Sequence, residues 1–160
     1  MTQNTVKHPD SVMVWGAFSG NMGRVGLYFL PKNVTMKSAN YIEVLRDHML
    51  TFWAIHNCNF FMHDGAPAHK SKAVNEFLET NRTKVLEGPG NSPDLIPIEN
   101  AWNQMKYILQ KERPSNISDL KEALKKHWIS IDQHYFVNLA TSMPKKIEMV
   151  IKNKSHMTKY

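Results

Sequence analysis

Hydrophobic residues recur along this chain with two different periods, and the change from one to the other marks its elements. From Val12 to Phe18 the run Val-Met-Val-Trp-Gly-Ala-Phe is apolar at almost every position, the pattern of a strand buried on both faces. Gly20 and Gly23 supply a turn, and a second apolar stretch from about Val25 to Leu30 completes a predicted β-hairpin. Trp15 and Gly16 within it read as core packing and close strand approach. Pro31 and Asn33 break this pattern. From Ser38, a predicted N-cap, to about Trp53 the period becomes helical, with Tyr41, Val44, Leu45, Met49, Phe52 and Trp53 on one face and Lys37, Glu43, Arg46 and Asp47 elsewhere.

Asn59 to His63 reads as the next strand, ending at Asp64. Pro67 suits the first turn of a following helix whose apolar stripe, Ala73, Val74, Phe77 and Leu78, runs out near Asn81. Lys84 to Leu86 is a short predicted strand, and the segment Gly88 to Asp94 is a loop stiffened by Pro89 and Pro93. A helix is predicted from about Pro97 to the break at Arg113-Pro114, with Ile98, Trp102, Met105 and Leu109 facing the core and Glu99, Asn103 and Lys106 on an adjacent face. Ser118 is the predicted cap of another helix, with Leu120, Leu124, Trp128 and Ile131 on one side and Lys121, Lys125 and Lys126 on another. Two more helices are expected at about Asp132 to Thr141 and Met143 to Asn153. Residues 1–10 read as a disordered lead and residues 154–160 as a loose basic tail.

At 160 residues, 42% hydrophobic and 21% charged, the chain has the composition of one globular domain with a sizeable core. Twenty Lys plus Arg against fourteen Asp plus Glu leave a net charge of +6, which favours polyanionic partners. The single cysteine, Cys58, rules out an intrachain disulfide and a cysteine-rich zinc module. No apolar run approaches the about 20 residues that a helical membrane span requires. His56, Cys58, His63 and His69 lack the compact paired spacing of a zinc site.

Two acids stand out because each lies at the end of a regular element. Asp64 follows the strand directly, where open sheets build their sites, and Glu99 follows 34 intervening residues later in the first turn of a helix. Such a pair can share a metal ion. Spacing alone also allows plainer roles, a strand-to-turn acid for Asp64 and a helix-dipole partner for Glu99. Asp94 lies in the same neighbourhood, but as a turn or capping residue. Asn100 and Asn103 are placed either to orient the carboxylate, to touch a ligand, or to face solvent.

The blocks Val12-Met13-Val14-Trp15-Gly16, His63-Asp64-Gly65-Ala66-Pro67-Ala68-His69, Ser92-Pro93-Asp94-Leu95-Ile96-Pro97-Ile98-Glu99-Asn100-Ala101-Trp102 and Thr158-Lys159-Tyr160 resemble, in order and spacing, the catalytic domain of Tc1/mariner-type transposases. The final Glu, with 34 residues before it, resembles the Tc1-like branch. The resemblance implies an α/β, RNase H-like mixed sheet flanked by helices, with extra C-terminal helices. It also implies a DDE acid triad that holds two Mg²⁺ or Mn²⁺ ions, with Asp64 as the second acid and Glu99 as the third. His69 corresponds to a histidine of the family near the scissile phosphate, or is a helix-start histidine satisfied by backbone. Gly65 and Ile96 stand where the family usually has Asn.

In the resembling family the first acid lies on a strand upstream of the Val12 to Phe18 block. The chain is therefore expected to lack that first strand and its acid, with Asp10 a poor substitute, and to be inactive by itself. Two strand edges would be left open, to be covered by residues 1–10, by a homodimer or by a partner strand. DNA is the implied partner and the nucleus the implied location. The alternative expectation is a domesticated module that binds nucleic acid or protein without catalysis.

Overall fold

In a computed structural model, the chain is described over residues 11–86 and 95–157. Its first element is the expected hairpin, formed by β1 (Val14–Trp15), β2 (Phe18–Ser19), β3 (Gly23–Arg24) and β4 (Tyr28–Phe29). The partners are Val14 with Phe29 and Trp15 with Tyr28 in one ladder, and Phe18 with Arg24 and Ser19 with Gly23 in the other, both antiparallel. Between the ladders Gly16 and Ala17 face the longer segment Val25, Gly26 and Leu27, so the returning strand carries a bulge.

The bulge is where the C-terminal helices attach. The Trp128 indole N–H donates to the Val25 carbonyl at 2.7 Å. A Cβ added at Gly16 would lie 2.9 Å from Leu27, 3.2 Å from Trp102 and 3.4 Å from Trp128, so the absent side chain is what admits the two indoles. The Arg24 guanidinium donates to the carbonyls of Ile129 and Ile131 where that helix ends.

Being apolar on both faces, the hairpin serves two cores. Val12, Phe18, Leu27 and Phe29 pack on a cluster of Ala101, Met105, Leu124, Trp128, Ile131 and Phe136. Trp15 packs instead on Tyr41, Leu45, Met49, Val74 and Leu78. The first cluster joins α4 (Pro97–Glu112), α5 (Ile117–Ser130) and α6 (Gln133–Thr141); the second joins α1 (Ser38–Val44), a π-helical segment (Leu45–Met49) and α3 (Lys72–Thr80), with α2 (Leu50–Ile55) continuing the second helix stack. Tyr41, Leu45 and Met49 repeat every four residues, longer than the 3.6 of an α-helix, and the wider π turn keeps them facing one core.

Several boundaries differ from the expectation. Ser38 opens α1 but does not cap it; Lys37 is the N-cap residue, and its backbone N–H donates to the Asn40 side chain at 3.3 Å. The cap of α5 is Asn116, which accepts from the Asp119 N–H and donates to the Asp119 carboxylate, both at 2.9 Å, rather than Ser118. Pro67 begins no helix: Ala66 to Lys70 form one turn, and α3 starts at Lys72 with Ser71 accepting from the Val74 N–H. The last helix, α7 (Met143–Met157), runs past Asn153 into the segment expected to be loose.

The predicted strands Asn59–His63 and Lys84–Leu86 shrink to one parallel bridge, Phe61 with Val85. Phe61 donates to the Lys84 carbonyl at 2.8 Å and accepts from Leu86 at 2.7 Å. Among the described residues no strand joins this bridge to the hairpin, and a ladder without a second neighbour gains little beyond one pair. Phe60, which a longer sheet would cover, is 58% exposed. Residues 1–10 with Asp10, and the loop segment with Asp94, lie outside the described residues.

Trp128 should be the costliest single truncation in the first core, because its ring stacks on Trp102 at 5.3 Å and meets the tilted ring of Phe136 at 5.2 Å while its N–H holds the bulge. Trp128→Ala is expected to lower stability by about 3–5 kcal/mol in a denaturant titration. A loss below about 1 kcal/mol would show that the hairpin is held without it.

Candidate active site

Asp64 leaves the Phe61 bridge and enters the turn that precedes α3. Its Oδ1 accepts from the Ala66 N–H at 3.0 Å, a side-chain-to-backbone turn that folds the chain back. The same oxygen accepts from the His69 ring Nδ1–H at 2.5 Å. Both donors lie on one oxygen, and Oδ2 has no hydrogen-bond partner among the described residues. The carboxylate is 45% exposed while the His69 side chain is only 15% exposed, so the histidine backs the acid from the protein side.

His69 is held in turn. Its ring stacks on buried Tyr41 with centroids 3.8 Å apart and planes at 25°, and it lies 5.5 Å from the nearly parallel ring of His63. The Tyr41 hydroxyl is 3.1 Å from His63 Nδ1. Burial, followed by the positive influence of His69, lowers the His63 imidazole to about 4; Asp64 opposes this and Lys70 adds to it. Burial, reinforced by the negative charge of Asp64, drives the Tyr41 phenol well above its ordinary value, with Trp15 opposing. At neutral pH the Tyr41 hydroxyl and the His63 ring are therefore both uncharged, and the bond between them joins two neutral groups.

Lys70 crosses the same turn. A Cβ at Gly65 would stand 3.1 Å from its Nζ, so the glycine leaves room for an ammonium beside Asp64. The exposed Lys70 thus brings a cation to this turn without a direct ion pair to Asp64.

Glu99 sits in the first turn of α4, half-buried, and its carboxylate has no hydrogen-bond or ion-pair partner among the described residues. Asn100 is half-buried and its Nδ2 donates back to the Pro97 carbonyl at 3.5 Å, while Asn103 is exposed. The structure thus brings Asp64 and His69 into contact and leaves Glu99, Asn100 and Asn103 out of that contact. His56 lies over Gly23, and Cys58 Sγ is 3.6 Å from Ser19 Oγ, so neither joins His63 and His69.

Tyr41, His63 and Lys70 belong to the site although the apolar and helical periods gave no sign of them. Tyr41 occupies a core position of its helix, which conceals a polar role. The available signal was the pair of histidines that bracket Asp64 within seven residues.

The fit to a divalent cation is partial. Unpartnered carboxylate oxygens on Asp64 and Glu99 suit a hard cation. Among the described residues, however, no three His, Cys, Asp or Glu side chains gather closely enough to hold one.

With this geometry in view, the comparisons are specific. Solved structures of mariner Mos1 transposase share the fold: its catalytic domain matches at a TM-score of 0.73 over 91% of this chain and 74% of that one, at 22% identity. A Mos1 paired-end complex with Mg matches at 0.79 over 95% of this chain and 50% of that one, at 20% identity. The architecture is therefore that RNase H-like, mixed α/β catalytic domain. The profile of the DDE superfamily endonuclease family matches residues 2–121, and the chain belongs to that family. Among curated relatives, the Tcb1 transposase of Caenorhabditis briggsae is 36% identical over 163 residues and the Tc1 transposase of Caenorhabditis elegans 32% over 161. Each alignment spans 98% of this chain and 57% of the relative's length.

The depressed His63 has a consequence for stability. Its folded value, about 4, lies below the 6.5 of an unfolded histidine, so the unfolded chain binds the proton more readily between these values. The stability contributed by neutral His63 is complete above about pH 6.5 and is lost as pH falls toward 4. Thermal melts at pH 7 and pH 5 should show a lower Tm at pH 5, and His63→Asn should flatten the difference. An unchanged pH dependence in the variant would contradict the burial of this ring.

Proposed function

We propose that the chain is the catalytic domain of a Tc1-type transposase, acting in metal-dependent cleavage and joining of DNA, with Asp64 and Glu99 as two of its metal carboxylates. The observation that carries this reading is the state of Asp64: one oxygen is clamped by two donors and the other has no partner among the described residues, in the turn that follows the Phe61–Val85 bridge. At 45% exposure of the side chain, that second oxygen is open to a ligand from solvent. The similarity to Tc1-group transposases over nearly the whole chain supports the assignment.

Mg²⁺ or Mn²⁺, held through Asp64 Oδ2 and Glu99, would supply activation of the attacking oxygen and stabilisation of the leaving one. The protein's own part is preparation. His69 and the Ala66 N–H fix the direction of Asp64, Glu99 enters from the start of α4, and Lys70 adds positive charge beside the turn where a phosphate would approach. Two described carboxylates are fewer than a two-metal site requires, so the chain by itself is expected to bind metal weakly and to turn over poorly. Completion by a further acid, and pairing of two copies on DNA, are part of the proposal, as is a nuclear location, where such a substrate resides. The net charge of +6 favours the DNA backbone.

The shortage of described donors also favours a second reading, a domesticated module that binds DNA or protein without catalysis. Calorimetric titration with Mn²⁺ separates the two. A transposase-type site predicts that Asp64→Ala and Glu99→Ala each weaken Mn²⁺ binding by at least about tenfold, while duplex-DNA affinity measured by fluorescence anisotropy is retained. Mn²⁺ affinity indifferent to both substitutions would leave the binding module as the better reading.

A further inference from the structure

Tyr41 lies in α1 at 1% exposure, within the second core, at a position that any large apolar residue would fill. It is nevertheless the meeting point of the two histidines that bracket Asp64. Its ring supports His69 from 3.8 Å, and its hydroxyl reaches His63 Nδ1 at 3.1 Å. The two imidazoles then need opposite tautomers. With the Tyr41 O–H as donor, His63 accepts at Nδ1 and carries its proton on Nε2, whereas His69 donates from Nδ1 to the Asp64 carboxylate. The hydroxyl anchors the phenol ring, and the ring sets the plane of the imidazole that grips the acid. The groups facing this arrangement are Asp64, His63, His69 and Lys70 from the turn and Trp15 from β1.

We propose that Tyr41 is a positioning residue for Asp64: by stacking on His69 it holds the Nδ1–H on Oδ1 and so keeps Oδ2 available. The use of that free oxygen in metal-dependent chemistry rests on the function proposed above; the positioning itself does not. The Tyr41–His63 bond fixes the position of the phenol oxygen and with it the depth of the ring in the core.

Long-range ¹H–¹⁵N spectra of the histidine rings of the whole chain at pH 7 report the tautomers directly. The parent protein should show His69 protonated on Nδ1 and His63 on Nε2. Tyr41→Phe keeps the stack and removes the hydroxyl, so His69 should stay protonated on Nδ1 while His63 becomes a mixture. Tyr41→Leu should release both rings and weaken Mn²⁺ binding roughly tenfold, with Tyr41→Phe falling between it and the parent. A parent His69 protonated on Nε2 would overturn the proposal before any variant is made. So would a cooperatively melting Tyr41→Leu protein whose His69 remains on Nδ1. Should Tyr41→Leu fail to fold, the parent and Tyr41→Phe spectra decide. The expected tautomers without any Mn²⁺ binding would uphold the positioning role and defeat the metal reading instead.

Discussion

The structure depends on a hairpin that must be buried on both faces. Its bulge turns the Val25 carbonyl toward Trp128, and the missing side chain of Gly16 lets Trp102 and Trp128 lie against the strand. Through this joint α4 and α5 pack on one face. Trp15, on the other face, meets the core of α1, the π-helical segment and α3. Asp64 follows the Phe61 bridge that packs on the second core, and Glu99 opens α4, which packs on the first. The hairpin therefore fixes the scaffold from which both acids are presented.

On that scaffold Asp64 is prepared rather than merely placed. The Tyr41 ring stacks on His69, whose Nδ1–H holds one carboxylate oxygen, while the Tyr41 hydroxyl is tied to His63. Burial keeps His63 uncharged, which removes a competing cation from the neighbourhood of the acid and leaves the exposed Lys70 as the cation of the turn. This asymmetry suits a group that must offer one oxygen outward while its direction is held from within.

Much of this was legible in the sequence where local chemistry decides the outcome. The hairpin and the core stripe of α4 follow from apolar period and turn residues. The helix starts were less legible because several residues compete for one cap. Asn116 prevails over Ser118 through its reciprocal bonds with Asp119, and the turn built on Asp64 consumes Pro67 and delays the start of α3 to Lys72. The strands at Phe61 and Val85 were overestimated because periodicity records which faces can be buried, and a ladder also needs neighbours. The role of Tyr41 was hidden for a related reason. A tyrosine in an apolar stripe looks like packing until the partners of its hydroxyl and ring are known.

The central claim is that Asp64 and Glu99 serve one metal centre. Anomalous scattering from crystals soaked in Mn²⁺ tests it most directly. The account predicts a peak at about 2.1 Å from Asp64 Oδ2 with a Glu99 oxygen in the same coordination shell, and His69 still bound to Oδ1. A peak that displaces His69 from Asp64, or a Mn²⁺ ion bound by neither carboxylate, would contradict it.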